Sequence, residues 1–213
     1  MSLARVLLSV VATLASHRSH TAPHPRPPDT KVAPAASTFS EIYFLRLLSV
    51  IKNLTYIACV VEIVAFILNP QRDDVYATWL SGMGALLSVS GTLLRLWCFR
   101  VLGQRFTFQL ATHDSNRLVT SGPYTFCRHP SYLGGILCFY GTCLVFLSPG
   151  SAIMARLGLV LGVVWPWAVC ILAFLPPLWA RIGKEEAMLG QEFKEEWTAY
   201  CRVVRARLVP GIL

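Results

Sequence analysis

Two short polar segments carry the residue types that do chemistry. The first, "GPYTFCRHPSYLGG" at 122–135, sets Arg128, His129, Tyr124 and Tyr132 against the start of an apolar run. The second, "RIGKEEAMLGQEF" at 181–193, places Arg181 and Glu185 four residues apart, on one face of a helix. Pro130 suits the first position of a helix, and a helix N-terminus offers amide donors to an anion. Gly122-Pro123 makes a tight turn that can aim Tyr124. Taken singly, each feature has a plain reading. Arg-His-Pro can simply cap a helix, and an exposed Arg181–Glu185 pair is worth under ~1 kcal/mol. Order and spacing together make the case for a site.

Those segments are held by apolar elements. The 213 residues fit one domain, 54% hydrophobic and 14% charged, with mean hydropathy +0.54. Soluble domains carry roughly 25% charge, so the chain reads as an all-α, polytopic membrane bundle. Spans are expected at Leu45–Leu68, Trp79–Phe99, about Tyr132–Leu147 and Ile153–Trp179. The third and fourth are joined by "SPGS" as an antiparallel hairpin near the C-terminus, and Pro166 and Pro176-Pro177 are expected to bend or end the fourth. Residues 1–15 hold a shorter apolar core, suited to a signal h-region, an interfacial helix or a fifth crossing, which gives four to five spans. Residues 16–38, with five prolines and three histidines, read as a linker or arm. The division is thus 1–40 as N-terminal segment and arm, and 41–213 as the membrane domain.

Ser and Gly recur along the second span (Ser81, Gly84, Ser88, Gly91), as close helix contact requires. Glu62 lies inside the first span, where it must face other helices or slide to the interface. In the tail, Ile182, Leu189, Phe193, Trp197, Tyr200 and Val204 recur at helical spacing, an amphipathic helix. Net charge is +8, with 19 Lys and Arg against 11 Asp and Glu. Basic residues gather in 100–130 and in the tail, so the positive-inside rule puts both in the cytosol. No basic face interleaved with aromatics points to nucleic acid. The seven cysteines form no CxxC pair, so neither metal nor disulfide framework is expected.

The order "LVTSGPYTFCRHPSYLGG", then "RIGKEEAML" and "EEWTAYCRVV", resembles the isoprenylcysteine carboxyl methyltransferases, integral membrane enzymes, over about Leu93–Leu213. The resemblance implies an S-adenosylmethionine site in cofactor segments of about 103–132 and 181–205. By position the cofactor residues would be Gln109, Asn116, Arg117, Leu118, Val119, Tyr124, His129, Pro130, Ser131, Tyr132 and Glu185. Arg181 matches a position that contacts the acceptor, and Arg95 an arginine preceding the family's polar loop, so these two are the catalytic candidates. Glu185 would take the cofactor's ammonium, the amides and imidazole of "HPSY" its carboxylate, and an arginine the acceptor carboxylate. The family often has His where this chain has Asn116 and Phe108.

The implied reaction is methylation of the C-terminal prenylcysteine carboxylate of CaaX-type proteins after proteolysis. It would occur in the endoplasmic reticulum membrane, among its lipids, with the site facing the cytosol. Looser kinship extends to phospholipid amine methyltransferases. A lipid-amine acceptor and a catalytically silent scaffold are therefore the alternatives.

Overall fold

The fold follows from where buried charge finds partners. The computed structural model describes residues 2–25, 38–71, 73–108, 118–157, 159–209 and 211. These form helices α1 (Leu3–Ser19), α2 (Phe39–Leu68), α3 (Trp79–Leu102), α4 (Pro130–Phe146), α5 (Ala152–Leu157) and α6 (Leu159–Val203). Single 3-10 turns stand at Gly103–Arg105 and Gly122–Thr125, and no strand occurs among the described residues. Glu41–Leu68, Trp79–Arg105 and Pro130–Leu147 are long and apolar enough to cross a membrane. The protein is an all-α polytopic membrane bundle. The fourth expected span falls on α5 and α6, and much of its middle lies outside the described side chains.

Pro176 and Pro177 do not end the helix. The helix runs through them, and Phe174 and Leu178 on either side are buried. The break comes later, at Lys194, where φ is 42°. A residue with positive φ interrupts the helical ladder, so α6 is kinked there before it runs on to Val203.

The chain divides into two compact units, each described by itself. The first comprises 1–20, 48–92 and 135–173. The sequence leaves α1 open as a signal core, an interfacial helix or a fifth crossing. It packs as a helix of the bundle, burying Arg5, Ser9, Ala12, Thr13, Ala15, Ser16 and Ser19. The small face lets it approach closely, and two of its hydroxyls bond within the helix: Ser9 donates to the Arg5 carbonyl (3.1 Å) and Thr13 to the Ser9 carbonyl (2.7 Å).

Arg5 is fully buried because Glu62 waits for it. Arg5 Nη2 donates to Glu62 Oε1 at 3.2 Å and to the Val145 carbonyl, and Nη1 reaches Ser148 Oγ at 3.4 Å. The Ala152 amide donates to the same carboxylate oxygen at 3.0 Å. Glu62 therefore faces other helices. Between α3 and α4 the backbones nearly touch. A Cβ on Gly84 would meet the Gly141 carbonyl oxygen at 2.6 Å, and one on Gly141 would meet the Ser88 nitrogen at 2.5 Å. The recurring small residues of the second span serve this crossing.

The second unit comprises 21–47, 93–134 and 174–213. Its tail docks by backbone pairing, with the Arg128 amide donating to Ala206 O and the His129 amide to Arg207 O, each at 2.9 Å. The stripe read from the sequence packs as expected: Trp197, Tyr200 and Val204 form a core joined by Leu118, Leu189, Phe193 and Cys201.

Breaking one partner of a buried ion pair costs ~3–5 kcal/mol, whereas replacing both by apolar groups is often neutral. Arg5→Leu should therefore lower the melting temperature in detergent sharply, and Arg5→Leu combined with Glu62→Leu should recover most of the loss. A double variant as unstable as the single one would refute the pairing as the source of stability.

Candidate active site

The site is built in the second unit from α6 outward. Arg181 is buried on α6, its guanidinium spread over three elements. Nε donates to the Tyr132 hydroxyl at 2.8 Å, Nη1 to Glu41, and Nη2 to the Phe108 carbonyl at 2.5 Å. The Phe44 ring lies 5.1 Å below Cζ. The Tyr132 hydroxyl in turn donates to Glu185 Oε2 at 2.5 Å. Arg181 and Glu185, one helical turn apart, are thus joined through a phenol from the start of α4. Burial alone would make the Arg181 guanidinium easier to deprotonate, but Tyr132, Glu41 and Glu185 outweigh it and hold the proton more tightly than usual.

His129, fixed beside Pro130 at the start of α4, faces the next residue along α6. Its Nε2 lies 3.3 Å from Glu186 Oε1. Arg128 Nη1 is 3.4 Å from the same oxygen, and Arg207 Nη2 is 2.9 Å from Oε2. Burial would raise the Glu186 pKa, but the His129 hydrogen bond and the charges of Arg128 and Arg207 pull it below the usual carboxylate value. The His129 and Tyr132 amides are already donating, to Arg207 O and His129 O, so an anion arriving here competes with bonds in place.

The remaining expected residues have definite places. Arg95 is buried, with Nη1 donating to the Ser131 carbonyl at 3.0 Å and its guanidinium 5.4 Å from the Phe99 ring and 5.2 Å from Phe108. The Tyr124 carbonyl accepts from the Tyr200 hydroxyl at 2.8 Å. Pro130 is fully buried at the first position of α4. Leu118 belongs to the Trp197 cluster, and its amide donates to Glu196 Oε1 at 3.2 Å; Val119 follows it, half-buried. Gln109, Asn116 and Arg117 lie outside the described residues.

Arg181, Tyr132 and Glu185 are brought into one bonded group; His129, Arg95 and Tyr124 hold neighbouring elements. Sequence reasoning missed Glu41 and Glu186. Glu186 carried a signal, standing next to Glu185 and one position round the helix. Phe108 contributes through its backbone carbonyl, which does not depend on its side chain.

The phospholipid methyltransferase family profile matches residues 79–173. Protein-S-isoprenylcysteine O-methyltransferase B of Arabidopsis thaliana is 30% identical over 177 residues, 82% of this chain and 77% of the relative. The chain belongs to the protein-S-isoprenylcysteine O-methyltransferase family. The mouse protein-S-isoprenylcysteine O-methyltransferase is 34% identical over 125 residues, 58% of this chain and 39% of the relative. The human one is 30% identical over 129 residues, 58% of this chain and 39% of the relative. The matched stretch spans about two fifths of these mammalian family members, 39% in each.

Glu186 offers a direct check on the site's electrostatics. A carboxyl held below its ordinary value, about 4.3 for Glu, contributes stability that is complete above that value. The contribution is lost as pH falls through the folded value. Wild-type protein should melt above Glu186→Gln at neutral pH, and the gap should close on acidification below the ordinary carboxylate range. A gap independent of pH would contradict the assignment.

Proposed function

We propose that the chain is an S-adenosylmethionine-dependent carboxyl methyltransferase that esterifies the C-terminal prenylcysteine of CaaX-type proteins after proteolysis. The observation that carries the proposal is the Arg181–Tyr132–Glu185 link. It sets a guanidinium suited to a carboxylate and a carboxylate suited to an ammonium on either side of one hydroxyl. The relatives' names support the same acceptor.

The residues present fit the cofactor. Glu185 is half-buried and oriented by Tyr132, with lone pairs left to accept an ammonium. The aromatic faces of Tyr124 and Tyr132 suit a cation. S-adenosylmethionine held there would supply an electrophilic methyl for the acceptor oxygen and a thioether leaving group that keeps the carbon–sulfur electron pair. The acceptor carboxylate is already a nucleophile at neutral pH, so the chain need supply no strong base. Arg181 orients that carboxylate through paired N–H donors, and burial of the group keeps water away. Arg95 braces α4 by holding the Ser131 carbonyl.

In this reading residues 41–213 form the catalytic domain, and the segments 103–132 and 181–205 surround the cofactor. The chain sits in the endoplasmic reticulum membrane with these segments facing the cytosol, and the prenyl tail reaches them from surrounding lipid. A lipid-amine acceptor is disfavoured, because a guanidinium offers only donors, which suit a carboxylate and not a cationic headgroup.

Methyl transfer to N-acetyl-S-farnesylcysteine in membranes tests the proposal. Wild-type chain should give base-labile methyl ester. Glu185→Ala should weaken cofactor binding, and Arg181→Ala should chiefly reduce turnover of the carboxylate by about 100-fold, as for loss of a charged contact worth ~3 kcal/mol. Cofactor bound without ester would move the acceptor to lipid amines, and no cofactor bound by folded chain would favour the scaffold.

A further inference from the structure

Glu41 lies in the first turn of α2, far in sequence from Arg181, yet its carboxylate sits on Arg181 Nη1. The two side chains are 2% and 4% exposed, so water screens them little. The contact is held from both sides. Lys184, one turn from Arg181, donates to Thr38 Oγ1 at 2.7 Å just before α2 begins. Phe44, one turn along α2, carries its ring beneath the guanidinium. The proposed carboxylate clamp therefore already holds a carboxylate that belongs to the protein.

Two carboxylates on one buried guanidinium repel each other strongly, since little solvent lies between them. A buried guanidinium with no carboxylate is also costly. Both problems are solved by exchange. We infer that Glu41 is a specificity-determining residue: it neutralises Arg181 while the clamp is empty, yields it to the acceptor's carboxylate, and reclaims it when that carboxylate becomes an ester. The ester is neutral and cannot compete with Glu41 for the charge, so the same contact that taxes binding of the acid favours release of the product. This rests on the carboxyl methyltransferase reading.

The test compares the acid and its ester. With full-length chain in membranes, the KM for N-acetyl-S-farnesylcysteine and the inhibition constant of its methyl ester are measured for wild type and Glu41→Gln. The amide keeps an oxygen for Arg181 but no charge to repel the acceptor. Glu41→Gln should lower the KM of the acid by about tenfold and leave the ester's constant within about twofold. Parallel shifts of both constants, or a raised KM, would mean that Glu41 only supports the fold, and would overturn the inference. If Glu41→Gln no longer retains labelled S-adenosylmethionine, Glu41→Asp decides. The shorter carboxylate grips Arg181 less well and should lower the ratio of the acid's KM to the ester's constant; an unchanged ratio overturns the inference. Ester formed by wild type together with unchanged constants in Glu41→Gln defeats the role of Glu41 alone. No ester from wild type defeats the underlying reading as well.

Discussion

Burial of the Arg181 guanidinium is the constraint on which the site depends. A cation out of water must have its donors matched, and the matching groups come from the start of α2, Phe108 beyond the turn that follows α3, and the start of α4. One side chain thus ties together three elements distant in sequence. Tyr132 extends the tie to Glu185, so the residue suited to an acceptor and the residue suited to a cofactor share a hydroxyl. A change at either end is felt at the other, because a phenol has one proton to give and limited lone pairs to offer.

The same physics recurs in the first unit, where it serves architecture. Arg5 on α1 and Glu62 on α2 are each fully buried, and each is tolerable only because of the other. Helix–helix attraction in a membrane has little hydrophobic contribution, so close glycine contacts and polar pairs must specify the packing. Gly84 and Gly141 supply the first device and Arg5–Glu62 the second.

Much of this was legible in the sequence, for physical reasons. Apolar runs of spanning length identified α2, α3 and α4, because the bilayer sets that length. The tail stripe was readable because its helical period matches a single packed face. Arg181 and Glu185 were readable as sharing a face, but not as joined through Tyr132, since nothing local links residues 49 and 53 positions apart. Glu41 was hidden for the same reason: at the foot of an apolar span it reads as an ordinary interfacial acid until Arg181 is placed beside it. The structural role of α1 was hidden by its shortness; its buried face and the pairing of Arg5 with Glu62 reveal it. Pro176-Pro177 were expected to bend or end the helix, because prolines remove helix bonds; the helix continues through them, with Phe174 and Leu178 buried on either side.

The central claim is that Arg181, Tyr132 and Glu185 act as one unit. Equilibrium binding of labelled S-adenosylmethionine to wild type, Arg181→Lys, Tyr132→Phe and the double variant tests it most directly. If the hydroxyl transmits the state of Arg181 to Glu185, the two changes will be coupled by about 1 kcal/mol or more, and Arg181→Lys will matter little once the hydroxyl is gone. Strictly additive losses would show that the cofactor and acceptor residues are neighbours without connection, and would contradict the account.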